Sequence, residues 1–300
     1  MRIGCHTSIS GSLEKAALRA AAIGANTFQI FSTSPRMWRA SVHGAHEVKL
    51  LQDARAKHDL KPLVIHSNYL INLASCSEDL RLKSVESFRN EIQRGLTIGA
   101  EYLVVHPGNC KGHTPEQGVI AVVRSLAEAA AGLDTRSLMI LLENTAGSGE
   151  ALGSRLEELA LMRYCAHQVT ALRVGFCIDT CHCHSSGYDV ASAAGLRKTV
   201  AEIDRVLGLE NVKVIHANDS KTPFNSRVDR HENIGEGTIG EEGFRRILTH
   251  PKLRSKPFIL ETPYEDEDDD RRNIDTLKRL ATRSPMRPQR PMRRRGGTSV

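Results

Sequence analysis

Short apolar runs alternate with longer amphipathic segments along most of the chain. The runs are rich in Val, Ile and Leu and lie at 3–5, 27–31, 63–65, 102–105, 138–142, 174–178, 212–215 and 258–260. Apolar residues recur at helical spacing in the segments between them, such as 13–23, 78–96, 114–131 and 192–207, and Gly24, Gly99 and Gly132 stand where helices would end. This alternation predicts an α/β fold, a (β/α)8 TIM barrel with its active site at the C-terminal ends of the strands. A doubly wound open sheet has the same alternation.

The residues that end or follow the apolar runs are unusual in type. In chain order they are His6, Phe31, His66, His106, Glu143, Asp179, His216 and Glu261. All but Phe31 are His, Asp or Glu, although the whole chain has only 13 His and 35 acidic residues among 300. In a barrel these positions converge on one mouth. Each one alone could cap a helix or lie as a satisfied core histidine, but together they would be costly to bury without a cation.

Two loops that follow strands add further candidate ligands. His182 comes three residues after Asp179, and Asp229 and His231 form an Asp-x-His pair whose side chains would point to the same side of an extended segment. Asp179 taken alone could equally cap the next helix, and an isolated Asp-x-His is a weak motif. The candidate metal ligands are therefore His66, His106, Glu143, Asp179, His182, His216, Asp229, His231 and Glu261.

Such a ligand set is too large for one metal ion. A catalytic zinc takes three protein ligands and keeps one position open, so the set suits about three ions. Mixed nitrogen and oxygen ligands favour zinc, with manganese or iron as an alternative. The resulting excess of positive charge favours an anionic substrate, and closely spaced ions that activate a hydroxide suit phosphoester hydrolysis. The residues alone thus predict a metal-dependent phosphoesterase that needs no side-chain nucleophile.

Charge is distributed unevenly between the body of the chain and its C-terminus. The net charge is +6, yet residues 283–300 alone carry Arg283, Arg287, Arg290, Arg293, Arg294 and Arg295 and no acidic residue. The remainder is therefore formally neutral. We expect a single catalytic domain at 1–282 and a disordered tail rich in Arg, Pro and Gly at 283–300, which either adds nonspecific affinity for DNA or has no role.

Cysteine usage and hydropathy indicate the compartment. The seven cysteines are scattered and odd in number, which does not suggest a disulfide framework. Cys177, Cys181 and Cys183 lie close together but lack the paired C-x2-C spacing of a zinc-thiolate site. No stretch is apolar enough for a membrane span, and the N-terminus does not resemble a signal peptide. We therefore expect a cytoplasmic protein without a membrane partner.

Several longer segments carry a specific resemblance. They are Gly4-Cys5-His6-Thr7-Ser8, His66-Ser67-Asn68-Tyr69-Leu70-Ile71-Asn72-Leu73, Val105-His106-Pro107-Gly108, Leu142-Glu143-Asn144-Thr145-Ala146-Gly147, Cys177-Ile178-Asp179-Thr180-Cys181-His182, His216-Ala217-Asn218-Asp219-Ser220, Ser226-Arg227-Val228-Asp229-Arg230-His231 and Leu260-Glu261-Thr262. In this order, from the first residues to about residue 262, the chain closely resembles the endonuclease IV family of apurinic/apyrimidinic endonucleases.

The resemblance implies a barrel with three zinc ions that cleaves duplex DNA on the 5′ side of an abasic site. The products would be a 3′-hydroxyl and a 5′-deoxyribose phosphate, and blocked 3′ ends would also be repaired. Glu143 resembles a carboxylate that bridges two ions, and with Glu261 it would be catalytic. The implied grouping places His66 and His106 on one ion, Asp179, His216 and Glu261 on the second, and His182, Asp229 and His231 on the third. His6 is expected behind the ligands, with a core histidine as the alternative.

The resemblance also implies which loops meet DNA. The counterparts of Arg36, Tyr69 and Leu70 enter the helix near the lesion, and an apolar or aromatic wedge suits an abasic site because that site has lost stacking. Without the resemblance, Tyr69 and Leu70 would be ordinary loop anchors. We expect the protein to act on duplex DNA as a monomer.

Two other classes of protein share parts of this pattern. Sugar isomerases and epimerases of the xylose isomerase type combine the same barrel with strand-end ligands for one or two metals, and the third group, His182, Asp229 and His231, argues against them. A non-catalytic DNA-binding or scaffold protein would gain nothing from an open metal cluster. The nuclease is therefore the favoured prediction.

Overall fold

Eight parallel strands close into a barrel. The computed structural model describes residues 1–38, 42–266 and 268–282. Each strand is hydrogen-bonded to two neighbours, and the first strand, Arg2–His6, pairs with both the second, Thr27–Phe31, and the last, Pro257–Leu260. This closure confirms the (β/α)8 prediction and rules out an open sheet. The Arg-rich segment 283–300 lies outside the described residues, as does the disorder predicted for it.

The barrel strands match the apolar runs to within one or two residues. They are β1 (Arg2–His6), β2 (Thr27–Phe31), β3 (Leu63–His66), β4 (Tyr102–Val105), β5 (Met139–Glu143), β6 (Arg173–Asp179), β7 (Val212–His216) and β10 (Pro257–Leu260). Strands β8 (Asp219–Ser220) and β9 (His231–Glu232) pair antiparallel above the barrel. Several strands run further than their apolar residues, so the candidate ligands are often the last residues of the strands.

Helices surround the barrel and follow their strands in sequence. They are α1 (Leu13–Ala22), α2 (Ala45–Lys57), α3 (Glu78–Ile98), α4 (Pro115–Ala130), α5 (Leu156–Val169), α6 (Thr180–Ser186), α7 (Ala193–Leu207), α8 (Gly240–Thr249) and α9 (Asp269–Thr282). Local signals set several of their ends. Thr114 and Gln117 form a capping box at the start of α4, and Gly99 ends α3 in the left-handed region, at φ 71°. Among the described residues, no helix is both long and apolar enough to cross a membrane.

The interior of the barrel explains why the ligands meet. A small buried cluster consists of Val64, Val104, Leu141, Cys177, Val214 and Ile259. Successive side chains of a strand point to opposite faces, so the residue two positions later shares the inward face. Those later positions are His66, His106, Glu143, Asp179, His216 and Glu261. On each of these six strands, the inward-facing side chains thus provide an apolar residue inside the barrel and a polar residue at its mouth.

Candidate metal centre

The candidate ligands gather around the mouth of the barrel. A cavity of about 1130 Å³ is lined by His66, His106, His182, Asp229, His231 and Glu261, together with rim residues. Three groups of possible ligands have their donor atoms within 4.8 Å of one another: His66, His106 and Glu143; Glu143, Asp179, His216 and Glu261; and His182, Asp229 and His231. The grouping agrees with the one implied by the family resemblance, and every predicted ligand belongs to at least one group.

Glu143 lies at the centre of the site and belongs to two of the groups. It is fully buried, and its Oε2 is 3.3 Å from His66 Nε2 and 3.5 Å from His106 Nε2. Its Oε1 is 2.8 Å from His216 Nδ1. Two ligand atoms of a tetrahedral zinc with bonds near 2.0–2.1 Å lie roughly 3.4 Å apart. The two Oε2 separations are close to this value, so Oε2 faces one group of possible ligands while Oε1 faces His216 of another.

Backbone carbonyls determine which nitrogen of three histidines faces the site. His66 Nδ1 donates to Ser67 O at 2.8 Å, His182 Nδ1 to Asn144 O at 2.8 Å, and His231 Nδ1 to Glu261 O at 2.9 Å. A carbonyl oxygen only accepts, so each Nδ1 carries the hydrogen and each Nε2 is left with a lone pair when the ring is neutral. Histidines that bind metals are commonly oriented in this way.

Several buried atoms of the site have no hydrogen-bond partner among the described residues. They are Glu143 Oε2, His182 Nε2 and His231 Nε2. His182 Nε2 is 3.1 Å from Asp229 Oδ2 and His231 Nε2 is 3.4 Å from Asp229 Oδ1, but these pairs are not aligned as hydrogen bonds. Buried polar groups are seldom left unsatisfied, and groups that only accept cannot satisfy one another. The residues therefore fit divalent cations, which would serve all three atoms.

Asp179 caps a helix and also belongs to a group of possible metal ligands. Its Oδ1 accepts from the backbone N–H of His182 at 2.7 Å and so caps α6, while its Oδ2 accepts from Asn218 Nδ2 at 2.6 Å. The same carboxylate also belongs to the group with Glu143, His216 and Glu261. The cap fixes the start of α6 and thereby sets where His182 enters the site.

Neighbouring charges shift the pKa values of the buried groups at the site. Burial would raise the pKa of Glu143, but His216 and His106 outweigh burial and hold it well below its usual value. Burial would lower the pKa of His182, but Asp179 and Asp229 outweigh burial and raise it to about 10. Without metal, protonated imidazoles therefore balance ionised carboxylates. A divalent cation would replace these protons.

The cysteines near the site are poor competitors for this role. Cys177 or Cys181 could join two further groups of possible ligands, one with Glu143 and His216 and one with Asp179 and His231. Burial raises the pKa of both thiols to about 12. Only the thiolate binds zinc well. At neutral pH both thiols keep their protons, so the nitrogen and oxygen ligands are the ones available to bind a metal ion.

His6 and Phe31 occupy the two strand ends outside the three groups. His6 Nδ1 is 4.0 Å from Glu261 Oε1, and His6 lines the same cavity as that carboxylate. The Phe31 ring centre is 4.3 Å from that of His6 and 5.1 Å from that of Tyr69. Phe31 therefore joins the inner site to the rim. The expected place of His6 behind the ligands stays a prediction.

The loops predicted to meet DNA are neighbours at the rim. Tyr69 N–H donates to Pro35 O at 3.2 Å, which joins the loop that carries Arg36 to the loop that carries Tyr69 and Leu70. Tyr69 is 67% exposed, Arg36 is exposed and Leu70 is partly exposed. The three side chains are available to a partner at the cavity, and their contact with DNA stays a prediction.

Sequence reasoning missed three amides that hold the ligands. Asn144 Oδ1 accepts from the Asp179 N–H at 2.7 Å, and Asn218 Oδ1 accepts from the Glu261 N–H at 2.7 Å. Gln29, in the middle of β2, reaches both His216 and Glu261. The available signals were an asparagine one residue after Glu143, another two residues after His216, and a glutamine inside an apolar run.

A parallel eight-stranded barrel with metal-ligand groups at its mouth defines a class of protein. The family model described as xylose isomerase-like TIM barrel matches residues 17–280. A D-tagatose 3-epimerase-like protein shares this fold, with a TM-score of 0.69, but at 20% identity the likeness extends to the fold alone.

Closer relatives define the family within that class. A protein described as probable endonuclease 4 from Solibacter usitatus is 57% identical over 281 residues, which cover 94% of this chain and 97% of the relative. The crystal structure of endonuclease IV from Thermus thermophilus superposes with a TM-score of 0.82 at 38% identity and covers 93% of this chain and 98% of that one. The chain belongs to the endonuclease IV family. It is therefore an enzyme, an endonuclease and hence a hydrolase, as predicted.

Proposed function

We propose that this chain is a zinc-dependent deoxyribonuclease of base excision repair. It hydrolyses the phosphodiester 5′ to an abasic site in duplex DNA, leaves a 3′-hydroxyl and a 5′-deoxyribose phosphate, and also removes blocking groups from 3′ ends. The main support is the arrangement of three groups of possible ligands along one open cavity: Glu143 belongs to the first two, and Asp179 Oδ2 of the second lies 3.7 Å from His231 Nε2 of the third. Membership of the endonuclease IV family supports the same conclusion.

Three zinc ions would be held by the three groups, with manganese or iron as an alternative at one of them. His66, His106 and Glu143 would hold the first, Glu143, Asp179, His216 and Glu261 the second, and His182, Asp229 and His231 the third. Bound divalent ions lower the pKa of water and offset the charge that develops on a phosphodiester under attack. Mixed nitrogen and oxygen ligands around an open cavity suit this chemistry.

The protein groups have separate tasks in this proposal. Carbonyl-bound Nδ1 atoms hold His66, His182 and His231 in one tautomer and ring orientation. Glu143 is fully buried, whereas Glu261 lines the cavity, so Glu261 is the carboxylate of the second group that an attacking water can reach and by which it can be oriented. The two carboxylates are the predicted catalytic residues.

Recognition of the lesion would occur at the rim. Tyr69 and Leu70 act as a wedge in the helix, and Arg36 contacts a phosphate nearby. An abasic site lacks one stacking partner and is cheaper to bend than intact duplex, so a wedge favours the damaged site without reading sequence. One chain supplies every ligand, so we propose that the enzyme works as a monomer, inside the cell.

A duplex with a single tetrahydrofuran abasic analogue tests this function, because the analogue cannot undergo β-elimination. We expect cleavage immediately 5′ to the analogue, loss of cleavage after prolonged chelation, and recovery on addition of zinc. Glu143→Gln should abolish cleavage, and an undamaged duplex serves as the matched substrate control. An intact damaged duplex after incubation with fully metal-loaded protein would contradict the proposal and favour a sugar isomerase.

A further inference from the structure

Gln29 is a buried polar residue at an unusual place in the barrel. It lies in the middle of β2 and has no solvent exposure, and its register partner on β3 is Val64, a member of the apolar cluster inside the barrel. The residue two positions later is Phe31, at a position where most other barrel strands bring a histidine or a carboxylate to the mouth. Strand β2 therefore contributes an amide to the site from an inward-facing position two residues before the end of the strand.

The amide of Gln29 satisfies three partners at once. Its Oε1 accepts from His216 Nε2 at 2.9 Å, while its Nε2 donates to Glu261 Oε1 at 2.6 Å and to His6 Nδ1 at 3.1 Å. The opposite orientation of the amide would place its oxygen against the Glu261 carboxylate, where both atoms only accept. The carboxylate therefore fixes the amide orientation, and the amide in turn fixes the proton on His216 Nε2.

This arrangement selects the atoms that face the second ligand group. With its hydrogen on Nε2, a neutral His216 presents the lone pair of Nδ1, which is 2.8 Å from Glu143 Oε1 and 3.2 Å from Glu261 Oε2. Gln29 occupies the other carboxylate oxygen, Oε1. One amide thus turns a nitrogen of His216 and an oxygen of Glu261 toward the same small volume.

We propose that Gln29 is a positioning residue for one metal ion, the ion held by Glu143, Asp179, His216 and Glu261. The inference rests on the metal centre proposed above and assigns the residue that orients one part of it. The hydrogen bonds of the Gln29 amide go to His6, His216 and Glu261, none of which belongs to the other two groups. Loss of a group that orients metal ligands typically lowers metal affinity by about 10- to 100-fold. The loss should therefore be confined to one of the three ions.

The variant Gln29→Met tests this, because it keeps the length of the side chain and removes its hydrogen bonds. Zinc content per chain is measured after equilibration against a chelator over a range of concentrations. We expect Gln29→Met to release one equivalent at a chelator concentration about 10- to 100-fold lower than wild type, and to keep the other two. Thr27→Val is the matched control, since Thr27 is a fully buried polar residue of the same strand whose hydroxyl bonds Pro62 O. It should release zinc as wild type does.

Two results would overturn the assignment. Gln29→Met with wild-type zinc release would show that Gln29 does not position the ion, and loss of all ions together would show that it only supports the barrel. Wild-type protein that binds no metal would overturn the proposed function as well. The wild-type measurement therefore distinguishes failure of the proposed function from failure of the Gln29 assignment alone.

A measurement on the wild type covers the case in which Gln29→Met does not fold. In zinc-loaded protein labelled with ¹⁵N at histidine, we expect the nitrogen resonances of His216 to show a proton on Nε2 and none on Nδ1. A proton on Nδ1 would contradict the proposed orientation.

Discussion

At the scale of single residues, the site depends on hydrogen bonds that leave one chosen atom free. The Nδ1 atoms of three histidines donate hydrogen bonds to backbone carbonyls; these histidines are His66, His182 and His231. Asp179 Oδ1 accepts a hydrogen bond from a helix N-terminus. The atoms that remain are acceptors and face one another. These acceptors repel one another at the mouth of the barrel. Protons on the imidazoles relieve the repulsion in metal-free protein, and bound cations would relieve it in metal-loaded protein.

The first prediction concerns the stability of the metal-free protein at different pH values. The pKa of His182 is raised to about 10 in the fold, against an ordinary value of 6.5. A raised pKa contributes stability that is fully present below about pH 6.5 and is lost as the pH rises toward 10. We therefore expect metal-free protein to lose stability across this window, measured by urea unfolding.

Zinc-loaded protein is the control for that titration. When a cation holds His182, the imidazole carries no extra proton to lose, so its stability should change less over the same pH range. Equal slopes for the loaded and metal-free forms would contradict this account.

At the scale of elements, the short hairpin of β8 and β9 delivers two members of the third group of possible ligands, Asp229 and His231. Asp219 anchors the hairpin. It is fully buried, and its carboxylate accepts from the backbone N–H groups of Ser220, Gly235, Gly237, Ile239 and Gly240. Because Ser220 pairs with His231 in the hairpin, the anchor at Asp219 sets the position of a ligand.

The second prediction follows from that anchor. Asp219→Asn keeps the shape of the side chain but turns an amide N–H₂ group toward backbone donors, so it should lower the free energy of unfolding by on the order of 3 kcal/mol. It should also weaken zinc binding by the group of His182, Asp229 and His231. Urea unfolding and zinc content measure both effects. Asp53→Asn, on the exposed face of α2, should change neither, and an unaffected third zinc in Asp219→Asn would argue against the anchor.

The third prediction belongs to the loop after β3. Tyr69→Ala removes an exposed ring that packs on Phe31 and is not itself a proposed ligand. Removal of one aromatic stacking interaction with a nucleic acid costs about 1–3 kcal/mol, so affinity for the abasic duplex should fall at least about fivefold. Affinity for intact duplex should fall less, measured by fluorescence anisotropy.

Tyr164 provides the matched control for that substitution. It is a similarly exposed tyrosine, 65%, on α5 and outside the lining of the cavity. Tyr164→Ala should bind both duplexes as wild type does. An equal loss of affinity for intact and abasic duplex in Tyr69→Ala would show that the ring does not recognise the lesion.

At the scale of the whole molecule, charge is divided between a neutral body and a basic C-terminus. The whole chain has a net charge of +6, and residues 283–300 contain six arginines without a compensating acid. Attraction between the body and DNA must therefore come from local patches and from bound metal. If the C-terminal segment has a role, we expect it to be a separate source of favourable interactions with phosphates.

The fourth prediction tests that segment by deletion of residues 283–300. Duplex affinity should fall at low salt, and the dependence of log affinity on log salt should become shallower by up to about 0.9 for each phosphate that the deleted arginines neutralise. Cleavage at saturating substrate should not change, because all proposed ligands lie before residue 262. Unchanged affinity throughout a salt titration would remove any role of the segment in binding.

The barrel and the candidate ligands could both be predicted from the sequence. Both depend on short-range periodicity: apolar runs of strand length, and a polar residue that shares the inward face two positions beyond a core residue such as Val64 or Ile259. The long matches around Glu143 and Asp179 indicate the family without any knowledge of the fold. Even the dual assignment of Asp179, as helix cap or as ligand, was present in the local pattern.

How those residues act together is visible only in the folded chain. The division of the ligands into groups around Glu143 depends on strand register and on closure of the barrel, which bring together atoms far apart in sequence. Gln29 and Asp219 illustrate the same limit. A glutamine inside an apolar run and an aspartate three residues after His216 have no distinctive local pattern. The role of Gln29 arises from a partner 187 residues away, His216, and that of Asp219 from backbone N–H groups of a later folded segment.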